Sequence, residues 1–186
     1  MDVDEILGNG PEPLRLPKPP LTNGTITLRP WRLKDAASLV TAWNDADIAA
    51  WAAVPEDRSQ RAAERWIAGS ARRHAHRLSL DLAITVEGRG NADIVVGEVG
   101  LSGFNDKYHG AMIGYWTHKA WRRQGHSGAA VTLLTEWAMA PTGLDLAMIV
   151  ARIDRDNAAS EALIRTLGYS LARNDTDGNR LFVLRR

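Results

Sequence analysis

The chain has 186 residues with 45% hydrophobic and 24% charged residues, ordinary globular composition for one domain. A net charge of +1 argues against a strong sequence-independent grip on nucleic acid or anionic lipid, and neither is expected as a partner. The absence of cysteine removes disulfides, thiolate metal sites and a cysteine nucleophile, and it fits a reducing cytoplasm.

Residues 1–21 read as an N-terminal arm, because five of the eight prolines fall there: Pro11, Pro13, Pro17, Pro19 and Pro20. Such a segment resists helix and sheet alike, so it is expected as a free tail or as a strap along a partner subunit. The acidic start, Met1-Asp2-Val3-Asp4-Glu5, is unlike a signal peptide, and no apolar run approaches a membrane span.

Residues 22–186 read as one domain. Thr25 to Arg29 alternates as a strand that Pro30 limits. Lys34 to Ala46 has helical spacing in Ala36, Leu39, Val40 and Trp43. Asp57 and Gln60 resemble a capping box opening a second helix that runs to His76. Leu80–Val86 and Ile94–Leu101 form a hairpin across Gly88-Arg89-Gly90-Asn91, and Ala111–Thr117 is a further strand. A basic loop then leads into a helix over Ser127–Met139. Leu146–Ile153, nearly all apolar, reads as a strand buried on both faces. A helix over Ala158–Leu167 stops at Gly168, and a hairpin turning at Asp175–Asn179 closes the chain. The expected order is β-α-α-β-β-β-α-β-α-β-β, an α/β (α+β) fold with a mixed sheet.

The segment Arg122-Arg123-Gln124-Gly125-His126-Ser127-Gly128 carries the most chemistry. A loop feeding a helix N-terminus presents unpaired N–H groups and the positive end of the dipole to one point. Arg122 and Arg123 are expected to add charge, and Gly125, Ser127 and Gly128 leave room for a phosphate. By itself the same loop also reads as a solvated basic turn. It is neither a Walker A loop nor a Rossmann fingerprint.

Ile113-Gly114-Tyr115-Trp116 followed by Arg122-x-x-Gly125-x-Ser127 resembles the acetyl-CoA signature Q/R-x-x-G-x-G/A of the GNAT superfamily of N-acetyltransferases, with Ser127 in the final small position. Asn157-x-x-Ser160 through Leu167-Gly168-Tyr169, with Leu28-Arg29-Pro30, is similar to the branch of ribosomal-protein serine and alanine N-terminal acetyltransferases (RimJ/RimL-like). The resemblance implies a GNAT fold: a sheet of about seven strands, two splayed parallel strands at its centre, and about four helices. It implies acetyl-CoA as co-substrate and a primary amine as acceptor, either a small molecule or a protein N-terminus. A homodimer is a common assembly in the family.

Within that resemblance, backbone groups of Trp116, Thr117 and His118 are expected to pair with the pantetheine. Amides of Arg123, Gln124, Gly125, His126, Ser127 and Gly128 are expected on the pyrophosphate. Asn157 would contact the cofactor, and Asn is equally a good helix N-cap. The position where many relatives carry a catalytic tyrosine is Ile164, so Ser160 is the expected partner of the leaving thiolate. Glu98, mid-strand in Val95–Leu101, is the candidate base; a buried ion pair, an outward-facing position on a half-exposed strand, or a reaction with no dedicated base are the alternatives. Asp81 and Asp106 are weaker candidates, and His118 could line the acceptor site. Trp43, Trp51, Trp66 and Trp116 could wall that pocket, although core packing is the usual fate of tryptophan. The histidines have no ligand spacing, and no metal is expected. The competing reading is a non-catalytic acyl-CoA sensor or scaffold of the same fold.

Overall fold

The computed structural model describes residues 12–186, so Pro11 and the first half of the expected arm lie outside the described residues. The strands are β1 Leu21–Thr22, β2 Thr27–Pro30, β3 Ser79–Glu87, β4 Asp93–Asn105, β5 Gly110–Thr117, β6 Met148–Ile153, β7 Ser170–Asn174 and β8 Arg180–Arg185. The helices are α1 Ala36–Trp43, α2 Ala46–Trp51, α3 Gln60–Ala68, α4 Ser70–Ala75, α5 His126–Met139 and α6 Ala158–Thr166.

All eight strands form one mixed sheet in the order β1-β2-β3-β4-β5-β6-β8-β7. The single parallel junction is β5 on β6, and it runs only from Gly110↔Met148 to Ile113↔Ala151. From Gly114 onward β5 keeps β4 on one side and, among the described residues, has no strand on the other. The predicted splay is therefore present, and it opens a cleft in the middle of the sheet.

Strand alternation gives the sheet two covered faces. On one, Leu80, Leu82 and Ile84 of β3 pack with Val131, Leu134 and Ala138 of α5 in the main core. On the other, Ala83 meets a second cluster of Trp31, Leu39 and Trp43 with Ala63 and Ile67 of α3. Arg29, only 4% exposed, is balanced by Asp35 at 2.7 Å and Asp93 at 2.5 Å, which ties β2 to the first helical turn and to β4.

Several boundaries differ from the sequence reading. The described part of the arm packs on its own domain: Leu14 enters the main core, and its N–H donates to the His74 carbonyl at 3.0 Å. A short helix, α2, stands where a loop was expected, because Asp45 caps it through the N–H groups of Asp47 and Ile48. The expected long helix breaks at Gly69 into α3 and α4. Its cap is Ser59, whose hydroxyl accepts from Ala62 N–H at 3.2 Å, and not Asp57, which pairs with Arg65. Among the described residues there are thus two more helices and one more strand than expected.

Candidate active site

The loop after β5 is built to expose its backbone. Gly125, at φ +82°, caps α5 in the left-handed region where glycine costs nothing. Arg123 also has positive φ, +61°, so the chain turns twice within three residues. Among the described residues, no backbone N–H from Arg123 to Gly128 has an acceptor; the first helical bond is donated by Ala129 to the Gly125 carbonyl at 3.0 Å. A run of inward donors at a helix N-terminus is an anion cradle. Ser127 Oγ lies 2.5 Å from Thr117 Oγ1, which staples the loop to the end of β5. The serine at the usual Gly/Ala position is thus occupied by a bond and leaves the cradle clear.

Arg122 does not serve that cradle. Its guanidinium pairs with Asp45 at 2.8 Å and Asp47 at 2.5 Å, and its Nε donates to the Thr117 carbonyl at 3.1 Å. Both carboxylates lie at the start of α2, so the expected phosphate charge is spent on holding that helix against the loop. Arg123 has no ion-pair partner among the described residues and borders the cleft.

Along the splayed edge, an antiparallel ladder turns alternate residues toward alternate neighbours. His118 N–H donates to the Val96 carbonyl at 2.9 Å, which sets the phase: the backbone of His118 and Trp116 faces β4. Of the three residues expected to pair with pantetheine, only Thr117 presents its backbone to the cleft. The second such residue is Tyr115, which sequence reasoning missed. The His118 ring bonds Ser38 at 2.8 Å and borders an outer pocket against α1 and α2, away from Ser160.

The cleft has two ends. A cavity of about 420 Å³ is bordered by Thr117, Arg123, Ser127, Asn157 and Ser160, so it runs from the amide cradle to the start of α6. Asn157 is the N-cap of α6, its Oδ1 accepting from Ser160 N–H at 3.1 Å. The cap holds Ser160 at the cavity wall, beside the Tyr115 phenol.

A second cavity of about 300 Å³ adjoins the first, bordered by Trp43, Trp51, Trp66, Asp81, Glu98 and Trp116. All four tryptophans border it, and Trp43, Trp66 and Trp116 also pack in the second core cluster, the use expected of most of them. Their floor is the cross-strand pair Gly100↔Gly114. Trp51, half exposed at the end of α2, borders both cavities.

Glu98 points into the second cavity. Its Oε1 accepts from Trp116 Nε1 at 3.1 Å, while Oε2 is sealed from solvent without a partner. Trp31 Nε1 is buried near the same carboxyl but outside hydrogen-bond geometry. Burial pushes the Glu98 carboxyl up to about 8, and the Asp81 charge adds to the rise. The ion-pair alternative fails for Glu98 and holds for Asp81, which Arg73 engages at 3.1 Å and Ser79 at 2.6 Å. Asp106 is off the site, exposed beside Arg77.

The acetyltransferase (GNAT) domain family matches residues 25–170. The chain belongs to the GNAT acetyltransferase family. No curated protein matches it in sequence. Solved structures share the GNAT fold at low identity. RimJ of Mycobacterium smegmatis, in complex with CoA-disulfide, is 21% identical over 89% of this chain and 85% of that one, with a TM-score of 0.73. The ribosomal-protein-S5-alanine acetyltransferase of Vibrio fischeri is 17% identical over 89% and 96%, at 0.74. The microcin C7 self-immunity acetyltransferase MccE, in complex with acetyl-CoA and AMP, is 20% identical over 89% and 98%, at 0.71. In this GNAT chain no cluster of potential metal ligands occurs among the described residues, and no helix there is long and apolar enough to cross a membrane.

Proposed function

We propose that the protein transfers an acetyl group from acetyl-CoA to a primary amine, within residues 22–186 and in the cytoplasm. The observation that carries this reading is the run of unpaired N–H groups from Arg123 to Gly128 beside a cavity that reaches Ser160 and adjoins, through Tyr115 and Trp116, the one that Glu98 borders. That cradle fits a pyrophosphate, and the backbone edge at Tyr115 fits an amide chain, the Thr117 carbonyl beside it being engaged by Arg122. Acetyl-CoA would supply the thioester carbonyl and the thiol leaving group. Asn157 and Trp116 complete the donor side, Asn157 by fixing Ser160 and Trp116 by bordering the cleft, while the His118 ring bonds Ser38 in the outer pocket.

Three tasks fall to the protein: removing a proton from the amine, stabilising the developing oxyanion and easing departure of sulfur. Glu98, when ionised, takes the amine proton directly or through water. Its raised affinity for protons suits it to an amine, since α-amino groups titrate near 7.7–8.0. Ser160 Oγ, at the N-terminal turn of α6, offers a hydrogen bond to the departing sulfur. The tryptophan walls of the second cavity would hold the acceptor, a small amine or a protein N-terminus as in the ribosomal-protein branch.

Thiol release from acetyl-CoA across a panel of free amines and N-terminal peptides tests this reading. Amine-dependent release is expected, and Ser160→Ala is expected to lower turnover more than CoA affinity. Tight CoA binding with no amine-dependent release would leave the sensor or scaffold reading instead.

A further inference from the structure

Helix α6 cannot supply a strong proton donor to the cleft. Ile164 is fully buried in the main core, so that position is packing, and the hydroxyl α6 offers at the cleft is that of Ser160, far less acidic than a phenol. A phenol nevertheless reaches the same place from another element. Tyr115 stands one residue beyond the point where β5 parts from β6. Its ring packs on the main core, and its hydroxyl donates to the Ser160 carbonyl at 3.4 Å. That bond is long, so the hydroxyl can turn to a better acceptor at little cost. Tyr115 borders the donor cavity, the acceptor cavity and the space between the parted strands. The neighbouring phenol, Tyr169, is engaged by Thr135 at 2.8 Å and borders none of them.

Resting on the transferase reading above, we propose that Tyr115 is the catalytic acid: its Oη protonates the departing CoA sulfur, with Ser160 Oγ as a second hydrogen-bond donor. The amine nitrogen bonds to the carbonyl carbon as the carbon–sulfur bond breaks. The electron pair of that bond goes to sulfur, which takes the Tyr115 proton. The surplus amine proton goes to Glu98, and solvent then restores a proton to Tyr115 and removes one from Glu98. Burial holds the Tyr115 phenol above its ordinary range, so the proton is in place at neutral pH.

Two readouts on Tyr115→Phe test the assignment, one of them independent of turnover. The first is the titration of the thiol of bound CoA, followed by thiolate ultraviolet absorbance. Loss of the phenol is expected to raise that pKa by about one unit or more. The second is kinetic: kcat is expected to fall about 10- to 100-fold, with CoA affinity changed less than about threefold. Identical thiol titration in the two proteins overturns the proposal, as does unchanged kcat or an equal loss of kcat and CoA affinity. If the wild type releases no thiol with any amine, the transferase reading fails, and the titration still decides whether Tyr115 bonds the sulfur. Should Tyr115→Phe fail to fold, fluorotyrosine at 115 takes its place. Its more acidic phenol is expected to lower the bound thiol pKa, and no change overturns the assignment.

Discussion

Trp116 Nε1 donates to Glu98 Oε1 at 3.1 Å, a bond across the β4–β5 pair that leaves the other carboxylate oxygen buried and unpaired. One neutral hydrogen bond cannot offset burial of a charge, so the proton stays on Glu98 to about pH 8.

That retained proton has a signed consequence for stability. In the unfolded chain the carboxyl loses its proton near 4.5, and in the folded chain near 8. Between those values the folded state binds more protons, so stability falls as pH rises. Glu98→Gln does not titrate and is expected to escape this loss. Its advantage over wild type should grow from about pH 5 to 8 and then level off, reaching about 1–3 kcal/mol, because the side chain borders a cavity and is not fully dry. Thermal unfolding of both proteins across that range measures it, and a constant difference would remove the perturbed carboxyl. Turnover of the variant should also lose its rise with pH beyond that of the amine itself.

Gly114 is a glycine that the fold does not require. Its φ is not left-handed, and a Cβ there would meet nothing within 4 Å. It lies at the first position past the β5–β6 pairing and borders the acceptor cavity. Gly114→Val should therefore leave the thermal midpoint unchanged or slightly higher. The same substitution should lower kcat/KM by about tenfold or more by filling the space where donor and acceptor meet. Unfolding curves beside steady-state rates test this, and full activity in the variant would show that the space is not used.

The two arginines of the loop should separate. Arg123→Gln is expected to weaken CoA binding by about 3- to 10-fold and to reduce its salt dependence. Arg122→Gln should lower stability by about 1–2 kcal/mol through loss of the Asp45 and Asp47 pairs, with a smaller effect on the salt dependence. Calorimetric titration with CoA at two ionic strengths, with thermal melts alongside, distinguishes them.

Arg29 sets the strongest expectation for folding. Arg29→Met leaves Asp35, itself buried, without its partner. A loss of about 3–5 kcal/mol is expected, measurable by urea unfolding. A smaller loss in Asp93→Asn should accompany it, since that carboxylate is partly exposed and shared with Arg32 and Lys34.

Much of this architecture is local and could be read from sequence. The alternation of Leu80 to Val86 and the spacing of Ala130, Val131, Leu134 and Ala138 each commit a short stretch to one geometry, and the structure keeps both. The amide cradle is equally local, because Gly125 and the helix that follows it suffice to expose those N–H groups. Asn157 capping onto Ser160 spans three residues and was legible for the same reason.

What the sequence by itself determined is therefore local: a loop of exposed N–H groups before a helix and an asparagine capping onto a serine at the next helix, which together carried the resemblance to the GNAT family. What only the tertiary structure decided lies between residues far apart in the chain. Arg122 meets Asp45 and Asp47 across more than 70 residues, and that contact turned an expected phosphate ligand into a helix clamp. The phase of the β4–β5 ladder, set by His118 on Val96, decided that the backbone of Tyr115 and not that of Trp116 faces the cleft. Glu98 became a protonated acid because elements from elsewhere in the chain bury it and set the Asp81 charge nearby, while the single bond from Trp116 only partly opposes that rise. Spacing along a chain fixes which way a side chain leaves its own strand or helix, but the charge, dielectric and partners it meets are set by elements that arrive from elsewhere.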